Sequence, residues 1–245
     1  MEKANDYIKE QFIHLDLKKT GYSIYAIRTS LLSAITSVRP QIKGIVVDLG
    51  CGEMPYRDFL LENGNITEYI GIDIQPTEYH NQVKPDMYWD GENIPLPDNH
   101  ADWFILTEFL EHYHDTQSIL KEVHRVLKPG GCIYFTVPCV WPLHEIPYDE
   151  YRFTPFSMEK HFKLAGFNKI DIKPSGGMNR SLAITLGVWM ENFRIWSPSR
   201  FRRYGKRAML YLLSKFYNYL LKNEQVPEKY QNQTFISGLW GIVKK

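Results

Sequence analysis

Two glycines and three carboxylates in this chain are spaced as a nucleoside site requires. Asp48 stands near the end of an apolar run over residues 44–49, and Gly50 and Gly52 follow, separated by Cys51. Glycine has no Cβ, so backbone at such a turn can lie directly against a ligand. Asp73 comes 21 residues after Gly52, at the tip of a second short apolar run with Ile74 beside it. From there a carboxylate can accept both hydroxyls of a ribose. Asp90, followed by Gly91, ends a third run and can accept from an adenine amino group. The turn does not suit a pyrophosphate. The pattern G-x-G-x-x-G needs glycine at 55, where Pro55 stands, and Glu53 near a helix start repels phosphate and favours a cationic group.

These residues need a parallel sheet to bring them to one edge, and the chain is patterned for one. Strands are expected over residues 44–49, 69–73, 87–90, 101–107, 132–137, 167–172 and 234–243. The first is continuously apolar, as in a sheet covered on both faces. Helices are expected over 22–38, 116–128, 156–165, 181–195 and 200–222, with Ile24, Ile27, Leu31, Ile35 and Val38 forming the apolar side of the first. Pro129-Gly130-Gly131 stops the second helix, and Ser197-Pro198-Ser199 divides the last two. Alternating strands and helices imply an α/β fold, a doubly wound, mostly parallel sheet. The late helical pair reads as an insertion before the last strand. The expected organisation is one domain over residues 1–245. It comprises a helical segment 1–39, a core 40–177, a basic aromatic insertion 178–230 and a final strand 231–245.

Composition is consistent with this. The 245 residues, 44% hydrophobic, can bury one large core, and the net charge of +1 names no partner. Residues 180–222 nevertheless hold nine Lys/Arg against one acid, a basic stretch on an otherwise acidic body. Cys51, Cys132 and Cys139 fit neither a zinc pattern nor a disulfide framework, and the polar amino terminus shows no signal peptide. A reducing cytoplasm is expected, with the basic stretch allowing a peripheral place on the inner face of a membrane.

Four segments resemble class I S-adenosylmethionine-dependent methyltransferases of the "methyltransferase domain 11" type. They are VVDLGCG (46–52), YIGIDI (69–74), WDGENIPLPDNHADWFILTEFLEHYHD (89–115) and LKEVHRVLKPGGCIYFTVP (120–138). A third glycine is usual in that family two residues after Gly52; here Met54 stands there. Met54-Pro55-Tyr56-Arg57 resembles a branch in which Pro-Tyr-Arg follows the turn, as do residues 144–167 and Ser175-Gly176-Gly177. The resemblance implies a Rossmann-like seven-stranded sheet with an antiparallel last strand, and S-adenosylmethionine as cofactor. Gly50, Gly52, Asp73, Asp90 and Gly91 carry over to the cofactor site, with Asp48, Cys51, Ile74, Thr107, Glu108 and His112 expected around it. Cys51 reads as packing rather than as a nucleophile.

The implied reaction is in-line attack on a sulfonium methyl, so the protein mainly aligns and desolvates. Acceptor groups should come from the loops after the fourth and fifth strands. His144 and Glu145 are the expected base or acceptor-orienting pair, and Tyr148, Asp149, Arg152 and Trp189 the expected acceptor contacts. Against that stands the simpler reading in which Glu145, Asp149 and Arg152 only pin a loop. Glu111-His112-Tyr113-His114-Asp115 invites a metal, but alternate helical positions diverge and no third ligand is placed, so no metal is expected. In residues 200–222, cations beside Phe201 and Tyr204 precede Met209, Leu210, Leu212, Leu213, Phe216, Tyr217, Leu220 and Leu221. That segment reads as a packed helix, or as a lid or membrane-surface contact. Nucleic acid ranks below both, because the aromatics interleave with long aliphatics. The expected acceptor is a small molecule or a saccharide, with a lipid-linked glycan as the extended form by analogy with the branch. The alternatives are a non-catalytic S-adenosylmethionine-binding partner module and an RNA methyltransferase using the basic insertion.

Overall fold

A computed structural model of the chain describes residues 2–74, 83–193 and 200–245. The helices α1 (Glu2–Phe12), α2 (Leu17–Thr20) and α3 (Tyr22–Val38) precede β1 (Gly44–Leu49), α4 (Arg57–Leu61), β2 (Ile66–Ile74) and β3 (Met87–Trp89). Then come β4 (Ala101–Thr107), α5 (Thr116–Val126), β5 (Leu127–Pro138), α6 (Pro155–Leu164), β6 (Lys169–Gly176), α7 (Met178–Asn192), α8 (Arg200–Lys222) and β7 (Gly238–Lys244). The seven strands form one sheet in the order β3-β2-β1-β4-β5-β7-β6. β7 pairs antiparallel with both β5 and β6, and the remaining pairings are parallel.

Side chains alternate across the sheet, and both faces are covered. Val47, Phe104, Leu106, Ile133 and Phe135 face Ile119, Leu120 and Val123 of α5 and Met158 and Phe162 of α6. Val46, Trp103, Ile105 and Tyr134 face Ala34, Ile35 and Val38 of α3 and Leu60 of α4. The continuously apolar strands follow from these two cores.

Several elements differ from the sequence expectation. The expected helical segment 1–39 holds α1 and α2 as well as α3. β5 begins at Leu127, directly after α5, because Leu127 is extended (ψ 136°) and pairs with Ala101. The Pro-Gly-Gly run therefore lies inside the strand as an irregularity instead of before it. The buried side of α3 is only partly the expected stripe. Ser23, Ala26, Ser30 and Ala34 are buried with Ile35 and Val38, whereas Ile24 is exposed. The cause is α7, whose Gly187 lies so close to α3 that an added Cβ would stand 2.6 Å from the Ser23 amide nitrogen.

On α8, Tyr217 and Leu220 are buried, but Leu212 and Phe216, expected to pack, are exposed. The Ser197-Pro198-Ser199 break and Trp196 lie outside the described residues, as do the side chains of residues 200–203. Among the described residues no helix is long and apolar enough to cross a membrane. The three cysteines are free thiols.

Candidate active site

The glycine turn is built from the ends of β1 and β2. Gly50 (φ 70°) and Gly52 (φ 48°) are left-handed, and the Gly50 and Cys51 amides donate to Ile72 O at 2.9 and 3.2 Å. The Gly52 amide donates to Asp73 Oδ2 at 2.7 Å and the Ile74 amide to Asp73 Oδ1 at 2.8 Å. Asp73 thus clamps the turn to the tip of β2. A Cβ at Gly50 would strike the Phe109 ring at 2.3 Å, whereas one at Gly52 or Gly91 would meet nothing within 4 Å. Gly50 is needed for packing, while Gly52 and Gly91 leave backbone open to a ligand.

Met54 explains the missing third glycine. It is left-handed itself (φ 50°), a conformation costly for a side-chain-bearing residue, and it is buried. Its thioether fills the space over Gly71, where an added Cβ would lie 2.4 Å from Met54 Sδ. Tyr56 is buried against Phe12 in an edge-on ring contact. Arg57 donates to both oxygens of Asp86 at 3.1 Å, and Asp86 accepts from the Gly71 amide at 2.8 Å. The Pro-Tyr-Arg run therefore braces the turn from behind.

Asp48 is buried beneath the turn, where its Oδ2 accepts from the Tyr69 hydroxyl. Burial raises its carboxyl to about 7, with Tyr69 opposing the shift. Burial also pushes the Cys51 thiol far up, so it stays protonated and packs. Ile74 is exposed beside Asp73. Asp90 follows β3, and its Oδ1 accepts from the Glu92 and Asn93 amides at 2.8 Å each, which lowers its pKa. Tyr113, not among the expected cofactor contacts, donates its hydroxyl to Gly91 O and stacks on Trp89. An aromatic three residues after Leu110, opposite an aromatic strand end, was the available signal.

The second half of the site lies beyond β4 and β5. Thr107 ends β4, and Glu108, left-handed at φ 48°, donates its amide to Thr136 O at 3.1 Å. Burial raises the Glu108 carboxyl. Leu110–His112 is a 3-10 turn, with Asp115 capping α5 only afterwards. Glu111 O accepts from the Glu150 and Tyr151 amides at 3.0 and 3.2 Å, joining this turn to the loop after β5.

That junction brings His144 against His112, with ring centroids 4.7 Å apart. Glu145, left-handed at φ 49°, has its Oε2 3.9 Å from His112 Nε2. His144 is therefore the third polar group beside Glu111 and His112: ligand atoms of the three lie within 4.8 Å of one another.

Asp149 and Arg152 form a bidentate pair at 2.6 and 2.8 Å, and Arg152 also donates to Trp141 O at 3.3 Å and Pro142 O at 3.4 Å. These bonds hold the Asp149 carboxyl well below its ordinary range and pin the loop. The Asp149 side chain is only 1% exposed, so it supports His144 from behind. Tyr148 exposes its ring and gives its carbonyl to His112. Trp189 stacks on Phe193 and belongs to the α7 end of the late helical pair.

Residues 47–135 match the family described as "Methyltransferase domain". These residues form a methyltransferase domain. Over 76 residues the chain is 37% identical to a ubiquinone/menaquinone biosynthesis C-methyltransferase, UbiE, of Caulobacter vibrioides; the match covers 29% of this chain and 30% of that protein. The chain thus matches less than a third of that relative's length. A methyltransferase described as SAM-dependent, from Archaeoglobus fulgidus, superposes at a TM-score of 0.54 with 16% identity, covering 90% of this chain and 94% of that one. The [4+2]-cyclase SpnF superposes at 0.55 with 18% identity, covering 89% and 82%. The fold is therefore that of S-adenosylmethionine-dependent methyltransferases. The cyclase shows that the fold alone does not fix the reaction.

The candidate cofactor residues gather at one edge of the sheet. Open backbone at Gly52 and Gly91, the Asp73 clamp and the Asp90 turn stand at the ends of adjacent strands.

Proposed function

We propose that this chain transfers a methyl group from S-adenosylmethionine to a small-molecule acceptor. The observation that carries the reading is the Gly52–Asp73 clamp with open space in front of Gly52. Asp73 accepts the ribose hydroxyls and Asp90 with Gly91 meets the adenine, while Thr107, Glu108 and His112 border the methionyl end. The bound cofactor supplies an electrophilic methyl. His144 and Glu145 orient the acceptor and take its proton if it is a hydroxyl.

The finer reading of the acceptor is a saccharide or lipid-linked saccharide, supported by the exposed Tyr148 ring, on which a sugar can stack. A membrane surface is the proposed partner of α8. That helix exposes Tyr204, Tyr211, Leu212, Phe216 and Tyr219 alongside Arg207 and Lys215, a combination suited to an anionic interface. Arg180, the first cation of the basic stretch, does not contribute. It is turned inward, donating to Ala26 O and Thr29 Oγ1, which leaves less of a basic face for nucleic acid.

Calorimetry with S-adenosylmethionine and S-adenosylhomocysteine tests the cofactor. Wild type should bind both, and Asp73→Ala should bind at least about tenfold more weakly, the scale of a lost hydrogen-bonded carboxylate. No binding by wild type, or undiminished binding by the variant, overturns the reading. Labelled methyl transfer to separate saccharide, lipid, quinone and RNA fractions then identifies the acceptor class.

A further inference from the structure

We propose that Glu111, His112 and His144 bind a divalent first-row metal ion, with Glu145 as a fourth ligand. The three side chains come from two loops 32 residues apart in sequence and already gather their ligand atoms within 4.8 Å.

The hydrogen bonds around the two imidazoles fix which nitrogens are free. His112 Nδ1 lies 3.3 Å from Tyr148 O, a carbonyl that can only accept, so Nδ1 carries the proton and Nε2 keeps its lone pair. That Nε2 is 3.9 Å from Glu111 Oε1 and 3.9 Å from Glu145 Oε2. His144 Nδ1 lies 3.2 Å from Asp149 Oδ2, a carboxylate whose charge is fixed by Arg152, so its proton is on Nδ1 as well and Nε2 is the open donor. A ligating histidine typically has its other N–H tied to a carbonyl or a carboxylate in this way.

Glu111 supplies an independent observation. It is 0% exposed, and neither carboxylate oxygen has a hydrogen-bond partner among the described residues. A buried carboxyl group without partners is costly. Arg152, the nearby cation, is already committed to Asp149. A cation beside Glu111 and the two free Nε2 atoms would remove that cost.

Metal–ligand bonds of about 2.0–2.2 Å put tetrahedral ligands roughly 3.4 Å apart. Separations of 3.9 Å at His112, and of up to 4.8 Å across the set of three, close to that distance by side-chain rotations of roughly 1 Å. Two imidazoles with carboxylates favour zinc, iron, cobalt or manganese over magnesium and calcium, which prefer all-oxygen sets. On the methyl-transfer reading, and resting on it, such an ion would hold an acceptor hydroxyl and lower its pKa, and His144 and Glu145 would then act as its ligands in place of taking the proton themselves.

The test uses the full chain after dialysis against a chelator. Titration with Zn2+ and with Co2+ should give one site per chain, and Co2+ should develop a visible d–d spectrum. His144→Gln and Glu111→Gln should each weaken binding at least about tenfold, and Asp149→Asn by roughly 10–100-fold through the misoriented imidazole. Glu111→Gln is a neutral isostere of an unpartnered group, so without metal it should melt at or above the wild-type temperature. This separates loss of the site from loss of the fold. No binding by wild type, or binding undiminished in both His144→Gln and Glu111→Gln, overturns the proposal. S-adenosylmethionine calorimetry on the same metal-free protein reports separately on the methyl-donor site, so failure of either reading is recognised without the other.

Discussion

Asp48 and Met54 show how single residues set the geometry of the turn. Asp48 is a carboxyl group raised from 3.8 to about 7 by burial beneath the glycines. Below its unfolded pKa both states hold the proton, and burial of the neutral acid costs nothing through ionisation. As pH rises from about 4 to about 7 the unfolded chain loses the proton while the folded chain keeps it, so stability falls, at up to about 1.4 kcal/mol per pH unit from this group. Asp48→Asn retains an oxygen for the Tyr69 hydroxyl and removes the titration. The variant should be more stable than wild type at about pH 8, with the gap shrinking as pH falls toward about 4, measured by urea unfolding across that range. A gap independent of pH would place the effect elsewhere. Met54 acts through shape. Its left-handed backbone does what the usual glycine does, and its side chain fills the space that Gly71 leaves.

At the scale of elements, the loops after β4 and β5 are fixed by short-range devices at either end. The loop after β5 runs into α6, whose start carries a reciprocal cap. Thr154 Oγ1 accepts from the Ser157 amide at 3.1 Å, and the Thr154 amide donates to Ser157 Oγ at 3.0 Å, with Pro155 in the first turn. Thr154→Ala should cost about 1 kcal/mol in chemical denaturation. Its effect on binding at His144 should be small, because Asp149 and Arg152 pin the loop independently. Gly50→Ala makes the contrasting prediction. An added methyl would stand 2.3 Å from Phe109, so the turn or the ring must move. A loss of about 1–3 kcal/mol is expected, together with weaker S-adenosylmethionine binding by calorimetry. An unchanged melting curve would show that Phe109 yields freely.

For the whole molecule, the methyltransferase core is closed on one side by helices distant in sequence. Glu191 on α7 accepts from the Ser23 amide at 3.2 Å and from its hydroxyl, and Gly187 lets the two helices approach. Glu224, just past α8, accepts from the amides of Gly177 and Arg180 at the start of α7. Tyr217 donates to Tyr22 O at 2.6 Å, fastening α8 to the start of α3. Gly187→Leu would force α3 and α7 apart. It should destabilise the chain by about 3 kcal/mol or more, read from the urea midpoint, because overpacking at a backbone contact has no rotamer that relieves it. The exposed aromatic face of α8 lies outside these contacts and should tolerate Leu212→Ser within about 0.5 kcal/mol.

The sequence by itself determined the sheet and where along its edge the candidate cofactor residues stand. Strands buried on both faces must be apolar throughout, and the candidate glycines and acids lie at or just past the ends of β1, β2 and β3, so local pattern is enough to place them. It placed Ile35 and Val38 on α3's buried face but not the small residues at the helix start, which turn inward where α7 arrives close by. Nor did it determine the cluster at His112. Glu111 and His112 sit in the 3-10 turn after β4, and nothing local in sequence places a third group beside them. His144 reaches them because backbone bonds from Glu111 O to residues 150 and 151 fold the β5 loop back across the end of β4. A contact between loops 32 residues apart depends on sheet order and loop path, which only the tertiary structure sets.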